Sequence, residues 1–207
     1  MKTILFQGDS ITDADRSRTD NRFTGSGYPT VAAAAVGMRF PGEYECINRG
    51  VSGNRVVDVY ARIKEDIINL KPDIMSVLIG VNDVWHELNI QNGVDADKYF
   101  KLYTMLIDEV KAALPDIKII ILSPFLLKGE ATEEKWDVFR AEVEKRVDAS
   151  KRVAEKFGLP YVPLIDVFDE AAKKTQDSFW TRDGVHPTAA GHGLIAREWL
   201  RVFDGIK

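Results

Sequence analysis

Apolar residues fall along this chain in two rhythms. Five short runs are apolar at nearly every position: Thr3–Gln7, Tyr44–Asn48, Ile74–Ile79, Lys118–Leu122 and Tyr161–Leu164. Bounded by Gly, Pro or Asp, they have the pattern of strands buried on both faces. Between them, apolar positions recur at helical spacing. Tyr28–Met38 is Ala-rich, with Pro29 near its start, where a helix tolerates proline. Val56–Leu70 stops before Pro72, and Ala96–Leu114 stops before Pro115. Glu133–Phe157 is long and amphipathic and ends at Gly158, a helix-capping residue. Ala189–Phe203 closes the chain, preceded by a short helical stretch after the fifth strand.

Strands that alternate with helices predict βαβ units and a parallel sheet covered on both faces. Right-handed crossovers leave few topologies. The expected fold is α/β: a three-layer α/β/α flavodoxin-like arrangement with a five-stranded parallel sheet in the order 2-1-3-4-5. There is no internal repeat, linker or low-complexity tract, so one domain is expected over residues 1–207. Ligand crevices in such sheets lie beyond the C-terminal strand ends, which directs attention to the loops there. The first strand is followed by Gly8-Asp9-Ser10-Ile11-Thr12-Asp13 and the second by Gly50-Val51-Ser52-Gly53-Asn54. After the third comes Gly80-Val81-Asn82-Asp83-Val84-Trp85, and after the fourth Ser123-Pro124-Phe125. Asp183-Gly184-Val185-His186-Pro187 precedes the last helix and can return to the same edge.

Composition narrows the classes. The 207 residues include 28 Lys and Arg against 32 Asp and Glu, a net charge of −4. That balance argues against a nucleic-acid or anionic-membrane partner. The lone cysteine, Cys46, forms no internal disulfide and is expected to be an inert core residue. The short apolar run behind Lys2 falls below the roughly 7–15 residues of a secretory signal, and no stretch nears the roughly 20 of a membrane span. A cytoplasmic protein is the expectation.

The loop residues suit nucleophilic catalysis. Ser10 is a weak nucleophile unless a base takes its proton, and His186 can be that base. Asp183, three residues upstream, can orient the imidazole. The backbone N–H of Ser10, the backbone N–H of Gly53 and the amide of Asn82 are candidate oxyanion donors. Each signal is weak alone; their order and placement on crevice loops make them specific.

In these blocks the chain resembles the SGNH (GDSL-type) hydrolase family, from Gly8 to His192. Ser10 stands in Gly-Asp-Ser, Gly53 in the second block, Asn82 in Gly-x-Asn-Asp and His186 in Asp-x-x-His. Ile11 replaces the leucine of the name-giving motif and keeps an apolar anchor. The resemblance implies ester hydrolysis through an acyl-enzyme, with no metal or organic cofactor. Several stretches are most similar to bacterial acetylxylan esterases acting on short xylo-oligosaccharides, including Ile79–Trp85 and the Ala190-Gly191-His192 that follows Val185-His186-Pro187. That subgroup implies an acetylated oligosaccharide substrate, an intracellular setting and a homo-oligomer. The rival readings are a lysophospholipase or thioesterase with the same triad, and a non-catalytic flavodoxin-like binding module.

Other residues carry two readings each. Asp9 is a candidate substrate contact or holds the Ser10 turn by local hydrogen bonds. Trp85 and Trp180 could stack on sugar rings or simply pack. Phe125 could border an acyl pocket or fill the core. Asp83 is expected to support Asn82, and Asp13 and Arg49 to touch substrate or brace loops. His86 is placed near the pocket, and His192 is expected to pack or cap.

Overall fold

The computed structural model describes all 207 residues. Its order is β1 (Lys2–Gly8), α1 (Ser10–Asp13), α2 (Tyr28–Arg39), β2 (Tyr44–Asn48), α3 (Val56–Ala61), α4 (Ile63–Asp66), β3 (Ile74–Leu78) and α5 (Val81–Ile90). Then follow α6 (Ala96–Ala113), β4 (Lys118–Leu122), α7 (Trp136–Phe157), β5 (Tyr161–Val162), α8 (Leu164–Ala172) and α9 (Ala189–Ile206). The strands form one sheet, ordered β2-β1-β3-β4-β5 and parallel throughout. The expected fold class and strand order are therefore observed.

The strand alternation divides the core in two. Ile4, Phe6, Ile74, Leu78, Ile120 and Leu122 face a layer containing Tyr28, Phe139, Phe168, Trp199 and Phe203. Leu5, Met75, Val77, Ile119 and Ile121 face the other, with Val59, Tyr99, Tyr103, Leu106 and Val110. Period-two side-chain direction in a sheet buried on both faces produces this split. Trp199 stacks on Phe203 at 5.1 Å and meets Phe6 at 5.1 Å, tying α9 to β1. None of the helices is long and apolar enough to cross a membrane.

Three expectations are refined. The single helix over Val56–Leu70 is broken at Arg62 and Ile67, leaving α3, α4 and a 3-10 turn at Ile68–Leu70. Six Val and Ile residues in that stretch stiffen χ1 and weaken a continuous helix. The fifth strand stops at Val162, because Pro163 has no N–H for the ladder, and Leu164 already begins α8. The loops after β1 and β3 are helix starts: Ser10 opens α1 and Asn82 lies in the first turn of α5. Short connections at the C-terminal sheet edge bring these starts near the Asp183–Pro187 loop.

Candidate active site

Ser10 sits where β1 turns into α1. Asp9 caps that helix, its carboxylate accepting the Ile11 N–H at 3.0 Å. The turn is clamped from β2: Asn48 donates to the Thr12 carbonyl at 2.6 Å and to the Thr24 carbonyl at 2.8 Å, and accepts the Gly50 N–H at 2.9 Å. A Cβ on Gly50 would lie 2.4 Å from the Asp13 nitrogen, so the two loops approach this closely only with glycine there. Asp13 braces the second loop by accepting the Ser52 N–H and hydroxyl, each at 2.9 Å, and it pairs with Arg18 at 2.5 Å.

The Ser10 Oγ lies 3.0 Å from His186 Nε2, and His186 Nδ1 lies 2.7 Å from Asp183 Oδ2. The carboxylate on Nδ1 holds the proton there, leaving Nε2 to accept the serine hydroxyl. Asp183 Oδ1 also accepts the backbone N–H groups of His186 at 2.7 Å and Val185 at 2.9 Å. Partial burial pushes the Asp183 carboxyl up, but the His186 hydrogen bond and the two backbone donors outweigh it and bring the pKa down to about 2. An ionised acid that orients the imidazole is an arrangement able to extract a serine proton.

On the neighbouring loops, Gly53 has φ +82°, a conformation that side-chain-bearing residues rarely adopt. Asn82 is buried, and its amide donates to the Asn54 carbonyl at 3.1 Å. One N–H of that amide is used, leaving the other for a ligand. Asp83 accepts the Val56 N–H and so locks the start of α5 to α3. His86 follows on the same helix; a Cβ built on Gly53 would lie 4.0 Å from its ring.

The serine and histidine share a cavity of about 290 Å³ with Asp15, Arg182, Thr188 and His192. Most of its lining residues are polar or charged in type.

A family model described as GDSL-like lipase/acylhydrolase matches residues 6–194. The chain belongs to this family. It is a carboxylic-ester hydrolase. An acetylxylan esterase from Geobacillus stearothermophilus is 33% identical, the match covering 96% of this chain and 92% of that protein. Its crystal structure superposes with a TM-score of 0.87 at 32% identity, over 97% of this chain and 93% of that one. A crystal structure described as a GDSL-like lipase from Parabacteroides merdae gives a TM-score of 0.90 at 33% identity, covering 97% and 94%.

Within this acylhydrolase the candidate substrate contacts separate. Trp85 is half-buried beside the relay, its ring 5.8 Å from that of His186. Phe125 is corrected to a core residue: it has no exposed surface and stacks on Phe168 at 3.9 Å. Of the two readings of Asp9, the turn-holding one is observed and the substrate contact is not: it is buried and committed to the α1 cap. Trp180 does not line the cavity; its indole N–H is satisfied by the Ala171 carbonyl at 3.0 Å, which turns the ring toward a separate groove beside Val167 and Leu194. Cys46 is partly exposed rather than fully buried, and burial still pushes its thiol up to about 12, far from a thiolate at neutral pH.

Sequence reasoning did not single out Arg182, which lines the cavity and makes no side-chain hydrogen bond or ion pair. Its position next to Asp183 was the available signal.

Proposed function

We propose that this protein removes acetyl groups from an oligosaccharide such as an acetylated xylo-oligosaccharide, through an acyl-enzyme on Ser10, within one hydrolase domain over residues 1–207. The Ser10–His186–Asp183 relay beside a small cavity lined mostly by polar residues carries the reading. The hydroxyl-bearing side of a sugar ester suits such walls, whereas a long acyl chain calls for an apolar groove. The likeness to an acetylxylan esterase supports the same substrate class.

In this mechanism His186 takes the Ser10 proton as Oγ attacks the ester carbonyl. Asp183 stabilises the imidazolium that forms. The N–H groups of Ser10 and Gly53 and the amide of Asn82 hold the oxyanion of the tetrahedral intermediate. Collapse breaks the C–O bond to the sugar, and His186 returns its proton to the leaving alkoxide. Water, deprotonated by His186, then attacks the acetyl-enzyme; the acyl C–Oγ bond breaks, His186 returns the proton to Ser10 Oγ, and acetate leaves. Trp85 offers a face on which a sugar ring can stack.

The test is acetate release from acetylated xylo-oligosaccharides, with Ser10→Ala protein as the blank. Release by wild type alone supports both the serine mechanism and the carbohydrate substrate. Turnover of aryl acetates without turnover of the oligosaccharide overturns the substrate. Retention of activity by Ser10→Ala overturns the nucleophile.

A further inference from the structure

His192 performs two tasks with its two ring nitrogens. Its Nδ1 lies 3.1 Å from the backbone nitrogen of Tyr28, the first residue of α2. The first N–H groups of a helix have no intrahelical acceptor, and the residue before Tyr28 is Gly27, which has no side chain to supply one. Nδ1 of His192 accepts that N–H. A nitrogen that accepts carries no proton, so in the neutral ring the proton sits on Nε2. Nε2 makes no hydrogen bond within the protein, yet it is not sealed away from the surface. The residue is only 9% exposed, and what it does expose lines the cavity it shares with Ser10 and His186.

The ring is also kept neutral. Burial lowers its pKa, and the neighbouring Arg182 and His186 lower it further, to about 4. At neutral pH the cavity wall therefore presents one fixed N–H donor, held in a single tautomer by a helix end. Leaving a nearly buried donor without a partner is unfavourable, and an oxygen acceptor on a ligand would complete it. Gly53 and Asn82, two of the three proposed oxyanion donors, do not line this cavity. An acetyl methyl has no acceptor to offer. Sugar hydroxyls and ring oxygens do.

We propose that His192 is a substrate-binding, specificity-determining residue whose Nε2–H donates to a hydroxyl or ring oxygen of the sugar leaving group. This rests on the carbohydrate reading above and adds to it a residue and a direction. The Nδ1 acceptor for the Tyr28 N–H explains the buried side of the ring; the Nε2–H donor explains why a histidine, rather than an asparagine, suits the position.

Two replacements separate the two nitrogens. In His192→Asn, the amide oxygen can still accept the Tyr28 N–H, but nothing reaches the place of Nε2. In His192→Gln, the longer amide brings an N–H donor back to that place. The quantity to read is kcat/KM on acetylated xylobiose divided by kcat/KM on 4-nitrophenyl acetate, which lacks sugar hydroxyls and a ring oxygen. His192→Asn is expected to lower this ratio about tenfold or more, chiefly through KM, and His192→Gln to restore it to within about threefold, the scale of a lost hydrogen bond to a substrate. An unchanged ratio in His192→Asn overturns the proposal, including the case where both substrates fall together because only the cap was lost. Wild-type protein that cleaves the aryl ester but not acetylated xylobiose overturns the carbohydrate reading itself, and this ligand with it. If neither variant folds, ¹⁵N imidazole spectra of the wild type at pH 7 decide. A proton on Nε2 whose resonance shifts on adding xylobiose supports the assignment; a proton on Nδ1, or no shift, overturns it.

Discussion

Three aspartates stand close to the serine loop, in two opposite electrostatic settings. Asp183 lies on the rim, where its carboxylate collects the His186 ring and two backbone N–H groups. Asp9 and Asp83 lie beneath the rim, buried at the starts of α1 and α5. Burial dominates there: desolvation pushes both carboxyls up to about 7, and neither their backbone donors nor the nearby His186 and Arg146 charges offset it. Asp183 pays a smaller desolvation penalty and gathers more donors, which brings it to about 2. The difference teaches that donor count weighed against burial, more than distance from the serine, sorts carboxylates into ones able to stabilise an imidazolium and ones that hold up a loop.

Removing the group that Asp183 serves gives the largest effect. Ser10→Ala is expected to lower kcat on an ester substrate by about 10⁶, on the precedent of serine proteases, read by initial rates. Asp183→Asn removes the rim charge and the correct tautomer of His186, and kcat is expected to fall by about 10⁴. A fall below tenfold would show that the rim carboxylate is dispensable and dissolve the contrast. Asn82→Ala, on the helix that Asp83 anchors, is expected to cost about 10²–10³ in kcat with little change in KM, as for an oxyanion donor.

The smallest effect reads the buried side through stability. A carboxyl with a folded pKa near 7 and an unfolded value of 3.8 holds more protons when folded between those pH values. Stability therefore falls as pH rises from about 4 to 7 through Asp9, and Asp83 acts in the same direction. Asp183 acts oppositely: its contribution is present above its unfolded value of 3.8 and is lost as pH falls toward 2. Asp9→Asn, which can keep the cap to the Ile11 N–H through its amide oxygen, should raise Tm at pH 8 relative to pH 5 by about 2 °C or more, compared with wild type. Thermal melts across pH 4–8 check it. A Tm difference that stays the same at every pH would mean that Asp9 is ionised throughout and that the sealed setting does not neutralise it.

Much of the site was legible because its residues follow strand ends. Ser10, Asn82 and the Asp183–His186 pair could be placed on one sheet edge from the run of apolar strands and the turn residues after them. Phe125 and Trp180 were also next to site segments in sequence, but adjacency does not give direction. Phe125 stacks on Phe168 from α8, an element that begins 39 residues after Phe125, and the sequence alone does not give that pairing. Trp180 follows the Ala171 carbonyl instead of the cavity.

The linear chain by itself determined the sheet and its order, because buried parallel strands need unbroken apolar runs and right-handed crossovers allow few arrangements. It also pointed to the candidate serine relay, since that chemistry needs a nucleophile, a base and an acid on loops that share an edge. Tertiary structure alone decided what each side chain faces. It set the 3.0 Å and 2.7 Å contacts of the relay, raised the Asp9 carboxyl to about 7 while lowering that of Asp183 to about 2, and turned His192 so that one nitrogen caps α2 and the other meets the cavity. The physical reason is that desolvation and hydrogen-bond partners depend on residues brought in from distant parts of the chain, such as Tyr28 for His192, 164 positions away.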